Sequence, residues 1–277
     1  MKTTSADWRD WWNERAKPGF SDLDVDRGGP HLAEGSEHTA TVNEELERRA
    51  RAQLLAALEL KPTDLVLDAG CGTGANFDAV SPKVREVIGI DFSEEQIARA
   101  HRRIVSEKLL NVKAQVGDMT KLPFPADSFD KVICASVLQY LDDAECEAAV
   151  SEMIRVCRND GIIVIHAKNR TSLYGIALSL LRAIARVIGR KTVNDHDRSR
   201  RWYGRVLSEY GGQIVDYDAF GIFHFPPLAQ SIVQRLLRLE LQIVKRRFWK
   251  RYGVNYKMTV RVNKRPYIVV REELKSY

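Results

Sequence analysis

The sequence predicts an α/β fold, a doubly wound and mostly parallel sheet of seven strands with helices on both faces. Three observations carry this expectation. Short apolar runs alternate along the chain with stretches of helical period. The first clear run, Leu65, Val66 and Leu67, closes on Asp68 and passes straight into a turn holding Gly70, Gly72 and Gly74, the arrangement by which open parallel sheets receive nucleotide-like ligands. A second run, Val87 to Ile90, ends on Asp91, and an acid about twenty residues after such a turn is a recurrent partner of it.

Taken in order, residues 36–59 predict a helix that stops before Pro62. A strand at 64–68 feeds the glycine turn, where the backbone needs close approach and positive φ that a Cβ would hinder. Residues 86–90 predict the second strand. Ser93 with Gln96 reads as a capping box opening a helix to about residue 108. Strands are expected at 112–116 and 130–135, and Asp142 or Asp143 caps the helix that follows. In that helix Val150, Met153, Ile154 and Cys157 share one face, which packs on the sheet. The last strands are expected at 161–166, 213–219 and 256–263.

Two segments exceed this minimal pattern. Residues 172–191 and 226–253 both read as helices, and in the first Arg182, Arg186 and Arg190 recur every fourth residue along an otherwise apolar cylinder. Those arginines exclude a comfortable transmembrane span. A lid over the pocket, a membrane-surface helix and a dimer contact compete. An insertion after the fifth strand starts on the pocket rim, which favours the lid.

A chain of 277 residues, 44% hydrophobic, fits one domain with elaborations. The expected divisions are a core at 36–170, helical lid insertions at 171–212 and 224–253, and a last strand and tail at 254–277. The N-terminal residues MKTTSADWRDWW lack the apolar core of a signal peptide. Cys71, Cys134, Cys146 and Cys157 show no C-x-x-C spacing, so neither a zinc site nor a disulfide framework is expected, and a cytoplasmic location is the default. Cys134 reads as a core residue.

Charge divides unevenly. Residues 171–277 hold 21 Lys and Arg against 8 Asp and Glu, whereas residues 1–170 hold 22 against 29. The acidic part contains the glycine turn. The basic part points to an anionic substrate, an anionic surface or a nucleic acid.

The spacing identifies the ligand class. A dinucleotide turn reads G-x-G-x-x-G and holds a pyrophosphate at a helix N-terminus. Here Asp68 stands just before Gly70-Cys71-Gly72-Thr73-Gly74, and a carboxylate there repels phosphate and suits a cation. LVLDAGCGTGA at 65–75 resembles the first motif of class I S-adenosylmethionine-dependent methyltransferases, in their small-molecule branch. The resemblance implies a Rossmann-like methyltransferase fold whose last strand runs antiparallel, with S-adenosyl-L-methionine as cofactor. It implies that Asp68, Gly70, Cys71, Gly72 and Gly74 border the cofactor. Asp91 falls where an acid meets the two ribose hydroxyls, with Phe92 beside the adenine. GDMTKLPF at 117–124 resembles the adenine segment, Asp118 accepting from the exocyclic amine and Met119 giving apolar contact. FDKVICASVLQYLDD at 129–143 resembles the fourth strand and its loop, adding Ser136 to the cofactor side. CRNDGIIVIH at 157–166 resembles the turn and fifth strand, with Asn159-Asp160 in place of the customary Pro-Gly. Trp8, Trp11 and Trp12 resemble the N-terminal segment, here 1–35, that covers the cofactor in relatives, and as aromatics they equally suit a core staple.

Methyl transfer is an in-line displacement that needs an aligned nucleophile and, for a hydroxyl or protonated amine, a base. Tyr140 stands where relatives often carry histidine, on the loop facing the methyl. His166 ends the fifth strand, and its ordinary pKa suits a base near neutral pH. Each also has a packing reading. His224, in GIFHFPP, is a weaker candidate. The leading expectation is methyl transfer to O or N of a small-molecule acceptor, apolar or anionic, such as a natural-product, quinone-like or lipid-linked intermediate. No metal site is expected. An RNA or DNA methyltransferase is the second reading, against which the loop reads ASVLQY without the Asn/Asp-Pro-Pro-aromatic grip and without a Pro-Cys nucleophile. A non-catalytic cofactor-binding scaffold at a membrane surface, touching it through 172–191 or 226–253, is the third.

Overall fold

A computed structural model describes residues 51–169, 172, 196–220 and 255–264. The expectations for residues 1–50, for most of 172–191, for 226–253, and for Trp8, Trp11, Trp12 and His224 lie outside the described residues.

Seven strands form one sheet: β1 (Leu65–Ala69), β2 (Glu86–Asp91), β3 (Val112–Val116), β4 (Phe129–Ala135), β5 (Cys157–Lys168), β6 (Gly212–Phe220) and β7 (Asn255–Val262). Their order is β3-β2-β1-β4-β5-β7-β6. The strands from β3 to β5 pair in parallel, and β7 runs antiparallel between β5 and β6. The order reverses between β1 and β4, the place where such sheets open a crevice beyond the strand ends. Both faces are covered, which is why the central strands read as continuous apolar runs and not as alternation. Leu67, Val132, Ile163 and Ile165 join one buried cluster, while Val66, Ile133, Ile162 and Val164 join the other.

Helical residues 51–58 place Leu54 and Leu58 on the second cluster, beside Phe77 and Val80 of the short helix α1 (Phe77–Val80). Helix α2 (Glu94–Ser106) packs Ile97 and Ala100 there as well. Ser93 caps it by accepting from the Gln96 N–H at 3.2 Å. The reciprocal half of the expected box is replaced, because the Ser93 N–H donates to Asp91 Oδ1 at 3.0 Å. Helix α3 (Asp143–Val156) opens with a complete capping box between Asp142 and Glu145. Its Val150, Met153 and Ile154, with Cys157 beyond its end, are buried against the sheet as their spacing requires.

Helix α4 (Arg200–Glu209) fills the stretch before β6. Ser199 caps it, and Tyr203, Val206 and Leu207 bury its inner face in the same cluster as α3. Strand β5 begins at Cys157, ahead of the expected 161, and shifts register between Phe129 and Lys131 of β4. The Asn159-Asp160 departure keeps a glycine-like geometry: Asp160 takes φ of 61°, the left-handed region that short polar side chains tolerate, and Asn159 Oδ1 accepts from the Lys264 N–H at 2.8 Å. Among the described residues, no helix is long and apolar enough to cross a membrane.

Candidate active site

The ends of β1 and β2 and the loop after β4 converge. Gly70, Gly72 and Gly74 all have positive φ. The Gly70 and Cys71 N–H groups both donate to the Ile90 carbonyl, at 2.7 and 3.0 Å, so the turn is stitched to β2. Gly70, at φ of 77°, also lies under Val137, and a Cβ there would drive into that side chain. Gly72 differs. A Cβ on it would meet nothing closer than Gln96 Oε1 at 3.9 Å, so this backbone faces open space suited to a ligand.

Two carboxylates stand on either side of the turn. Asp91 Oδ2 accepts from the Gly72 N–H at 3.0 Å and Oδ1 from Ser93. Burial raises its pKa, and the N–H groups of Ser93, Gly72 and Phe92 pull it back. Each oxygen keeps a further lone pair, which two vicinal hydroxyls can use. Asp68 is buried, with Oδ2 accepting from Asn76 Nδ2 at 3.3 Å and Oδ1 meeting no hydrogen-bond partner. Burial raises its pKa to about 7, opposed by the Asn76 hydrogen bond and reinforced by the charge of Asp91. An orphaned buried carboxylate oxygen is costly unless a donor completes it, and a cationic ligand supplies that donor. The fit to S-adenosylmethionine, which carries an ammonium, a sulfonium and no phosphate, rests on this atom and on the open face of Gly72.

The other expected cofactor residues divide by exposure. Phe92 is half-buried next to Asp91. Asp118 is exposed, and its Oδ1 accepts from both the N–H and the hydroxyl of Thr120, at 2.8 and 2.7 Å. Met119 is buried in the cluster of Ile90 and Leu122. Burial, followed by the charges of Asp91 and Asp68, pushes the Cys71 thiol well above its ordinary value, so it stays neutral and unreactive. Cys134 is fully buried, as a core residue should be.

Ser136 and His166 come together where β4 and β5 end. Ser136 takes φ of 60°, donates its N–H to the His166 carbonyl at 2.8 Å, and places Oγ 3.3 Å from His166 Nδ1. The ordinary histidine pKa expected from sequence does not hold, because burial lowers it to about 4. Tyr140 closes a single 3-10 turn, Leu138–Tyr140, after β4. Among the described residues no group of histidine, cysteine or acidic side chains could hold a metal ion.

Sequence reasoning missed Arg198. Its guanidinium is buried behind the Tyr140 turn, where Nε donates to Asp143 Oδ1 at 2.9 Å and two further nitrogens reach the Leu138 and Leu141 carbonyls. A signal existed in the Ser199 cap and the Tyr203, Val206, Leu207 spacing, which mark a core helix directly after it.

Comparison with known proteins agrees with this geometry. A family described as a methyltransferase domain matches residues 66–161. A probable S-adenosylmethionine-dependent methyltransferase of Mycolicibacterium smegmatis is 35% identical over 169 residues, 60% of this chain and 57% of that protein. Phosphatidylethanolamine N-methyltransferase of Cereibacter sphaeroides is 37% identical over 121 residues, 42% of this chain and 58% of that protein. The chain thus spans somewhat over half the length of these two relatives. The crystal structure of geranyl diphosphate C-methyltransferase from Streptomyces coelicolor A3(2), in complex with Mg2+, geranyl diphosphate and S-adenosyl-L-homocysteine, superposes with a TM-score of 0.63 at 19% identity, covering 96% of this chain and 100% of that one. That likeness establishes the fold, and the stretch matched at 66–161 contains Asp68, Asp91 and the three glycines of the turn. Residues 66–161 thus match a methyltransferase domain, and over that core the chain is similar to S-adenosylmethionine-dependent methyltransferases.

Proposed function

We propose that the protein transfers the methyl group of S-adenosylmethionine to oxygen or nitrogen of a small apolar or anionic molecule. The observation that carries this reading is the pair of carboxylates, buried Asp68 with an orphaned oxygen and half-buried Asp91 bound to the glycine turn. A site of that charge accepts a cation and rejects a phosphate. Bound there, the cofactor supplies an activated methyl group for in-line displacement.

This chain's residues then orient the acceptor and take its proton. Ser136 and His166 stand at the ends of β4 and β5, and Tyr140 stands on the loop beside them. With a pKa near 4, His166 is neutral and can accept a proton from an oxygen that turns acidic as it gains the methyl group. It is too weak a base to strip an alkylammonium. The basic charge of residues 171–277 favours an anionic acceptor, and the relatives named above act, by their names, on a phospholipid and an isoprenoid diphosphate.

Calorimetry with S-adenosylhomocysteine tests the cofactor part. Wild type binds, and Asp91→Asn, which keeps one carbonyl oxygen for the turn but loses the charge and an acceptor, binds at least about tenfold more weakly, roughly 1.4 kcal/mol. An absence of heat from wild type, or equal affinities, removes the proposal.

A further inference from the structure

The turn that carries Tyr140 accepts hydrogen bonds from the Arg198 side chain. Arg198 is 4% exposed, and its charge is spent inside the protein. Its Nη1 donates to the Leu138 carbonyl at 2.8 Å and to the His196 carbonyl at 3.0 Å, and its Nη2 donates to the Leu141 carbonyl at 2.7 Å. Nε completes the set on Asp143, and the guanidinium carbon lies 4.8 Å from the centre of the Trp202 ring. The backbone beside it continues the grip, since the His196 N–H donates to the Gln139 carbonyl at 2.9 Å. The Arg198 carbonyl is itself fixed by the Tyr256 hydroxyl of β7 at 2.7 Å.

The accepting carbonyls are those on either side of Tyr140. Leu138 opens the 3-10 turn and Leu141 ends it, so a rigid fork spans the residue and sets the turn's curvature. A planar guanidinium can reach both carbonyls and the Asp143 carboxylate at once, whereas a single ammonium cannot. If the role were only to bury charge, an apolar side chain of similar size would serve better.

We propose that Arg198 is a positioning residue for the acceptor side of the site, fixing Tyr140 through the Leu138 and Leu141 carbonyls. The inference rests on the reading that the Tyr140 turn borders the methyl acceptor. It assigns Arg198 no contact with cofactor or substrate.

The test places 3-fluorotyrosine at position 140 of the full chain and follows its fluorine resonance in four backgrounds: native, Arg198→Lys, Arg198→Met and Asp143→Asn. Each sample is also melted and titrated with S-adenosylhomocysteine. The native background and Asp143→Asn, which leaves the carbonyl contacts in place, give one sharp resonance. Arg198→Lys and Arg198→Met shift or broaden it, while S-adenosylhomocysteine affinity stays within about twofold of native. An unchanged resonance in both Arg198 variants overturns the proposal. So does a tenfold loss of cofactor-analogue affinity in step with the fluorine change, or failure of both variants to melt cooperatively, since each marks a general structural role. Should native protein bind no S-adenosylhomocysteine, the methyltransferase reading fails while the fluorine result still decides what Arg198 does to the turn.

Discussion

At the scale of single residues, Asp68 gives the sharpest pH dependence. Its ordinary value is 3.8 and burial raises it to about 7, so between those limits the folded chain keeps a proton that the unfolded chain has released. Its contribution to stability therefore declines as pH rises from about 4 to about 7, and is lowest above that window. A cation beside it favours the ionised form. Binding of S-adenosylmethionine should consequently tighten between about pH 6 and pH 8 and expel a proton near pH 6.5, seen as heats that change with the buffer's ionisation enthalpy. Asp68→Asn should abolish both effects, and buffer-independent heats in wild type would contradict the assignment. His166 gives the opposite expectation. Because its folded pKa is depressed to about 4, its ring stays neutral from pH 8 to pH 5, and its NMR nitrogen shifts should not titrate in that range. Gly72 offers a third check. Alanine there meets φ of 54° and the open face of the turn, so Gly72→Ala should cost about 1 kcal/mol of stability yet weaken S-adenosylhomocysteine binding by more than tenfold.

At the scale of elements, the sequence and the structure agree where one physical signal dominates. Strands β1, β2 and β4 were legible because Val66-Leu67, Val87-Ile88 and Val132-Ile133 each send neighbours to opposite covered faces. The glycine turn and its two acids were legible because backbone conformation and ligand charge both restrict residue type. The start of β5 was not, since Asp160 does with a left-handed backbone what glycine usually does, and its side chain reads as an ordinary turn former. The Ser93 cap was half legible, because Asp91 competes for the N–H that Gln96 would take. Arg198 and α4 were hidden within a run of charges, RSRR, whose first arginine points inward for reasons only the Leu138 and Leu141 carbonyls reveal. The complete capping box at Asp142 allows a test of how far α3 supports the site. Asp142→Ala should cost about 1 kcal/mol, lowering Tm by about 2–4 °C in a chain of this size, with little change in S-adenosylhomocysteine affinity, because the cofactor side is built on β1 and β2.

At the scale of the whole molecule, charge separates the two halves of the chain. The part up to residue 170 is net acidic and holds both carboxylates beside the glycine turn, Asp68 and Asp91, while residues 171–277 carry 21 basic side chains against 8 acidic ones. Among the described residues several of these cations are already matched: Lys257 lies 3.3 Å from Asp216, and Lys264 2.7 Å from Asp127. The excess therefore resides largely in the remaining sequence, which contains Arg182, Arg186, Arg190 and the KRRFWKR run at 245–251. Such an excess attracts anionic surfaces over roughly one Debye length, about 10 Å at 0.1 M salt, and basic segments gain about 1 kcal/mol per cation near an anionic leaflet. Vesicles of phosphatidylglycerol and phosphatidylcholine should then retain the protein at about 0.05 M salt and release it at about 0.5 M, whereas pure phosphatidylcholine should not retain it at either. Replacing the three arginines at 182, 186 and 190 by glutamine should lower retention without altering S-adenosylhomocysteine binding, because the carboxylates Asp68 and Asp91 stand on β1 and β2. Retention that ignores salt would point to apolar insertion instead of charge, and retention on RNA but not on anionic vesicles would transfer the basic half from a lipid-linked acceptor to a polynucleotide one.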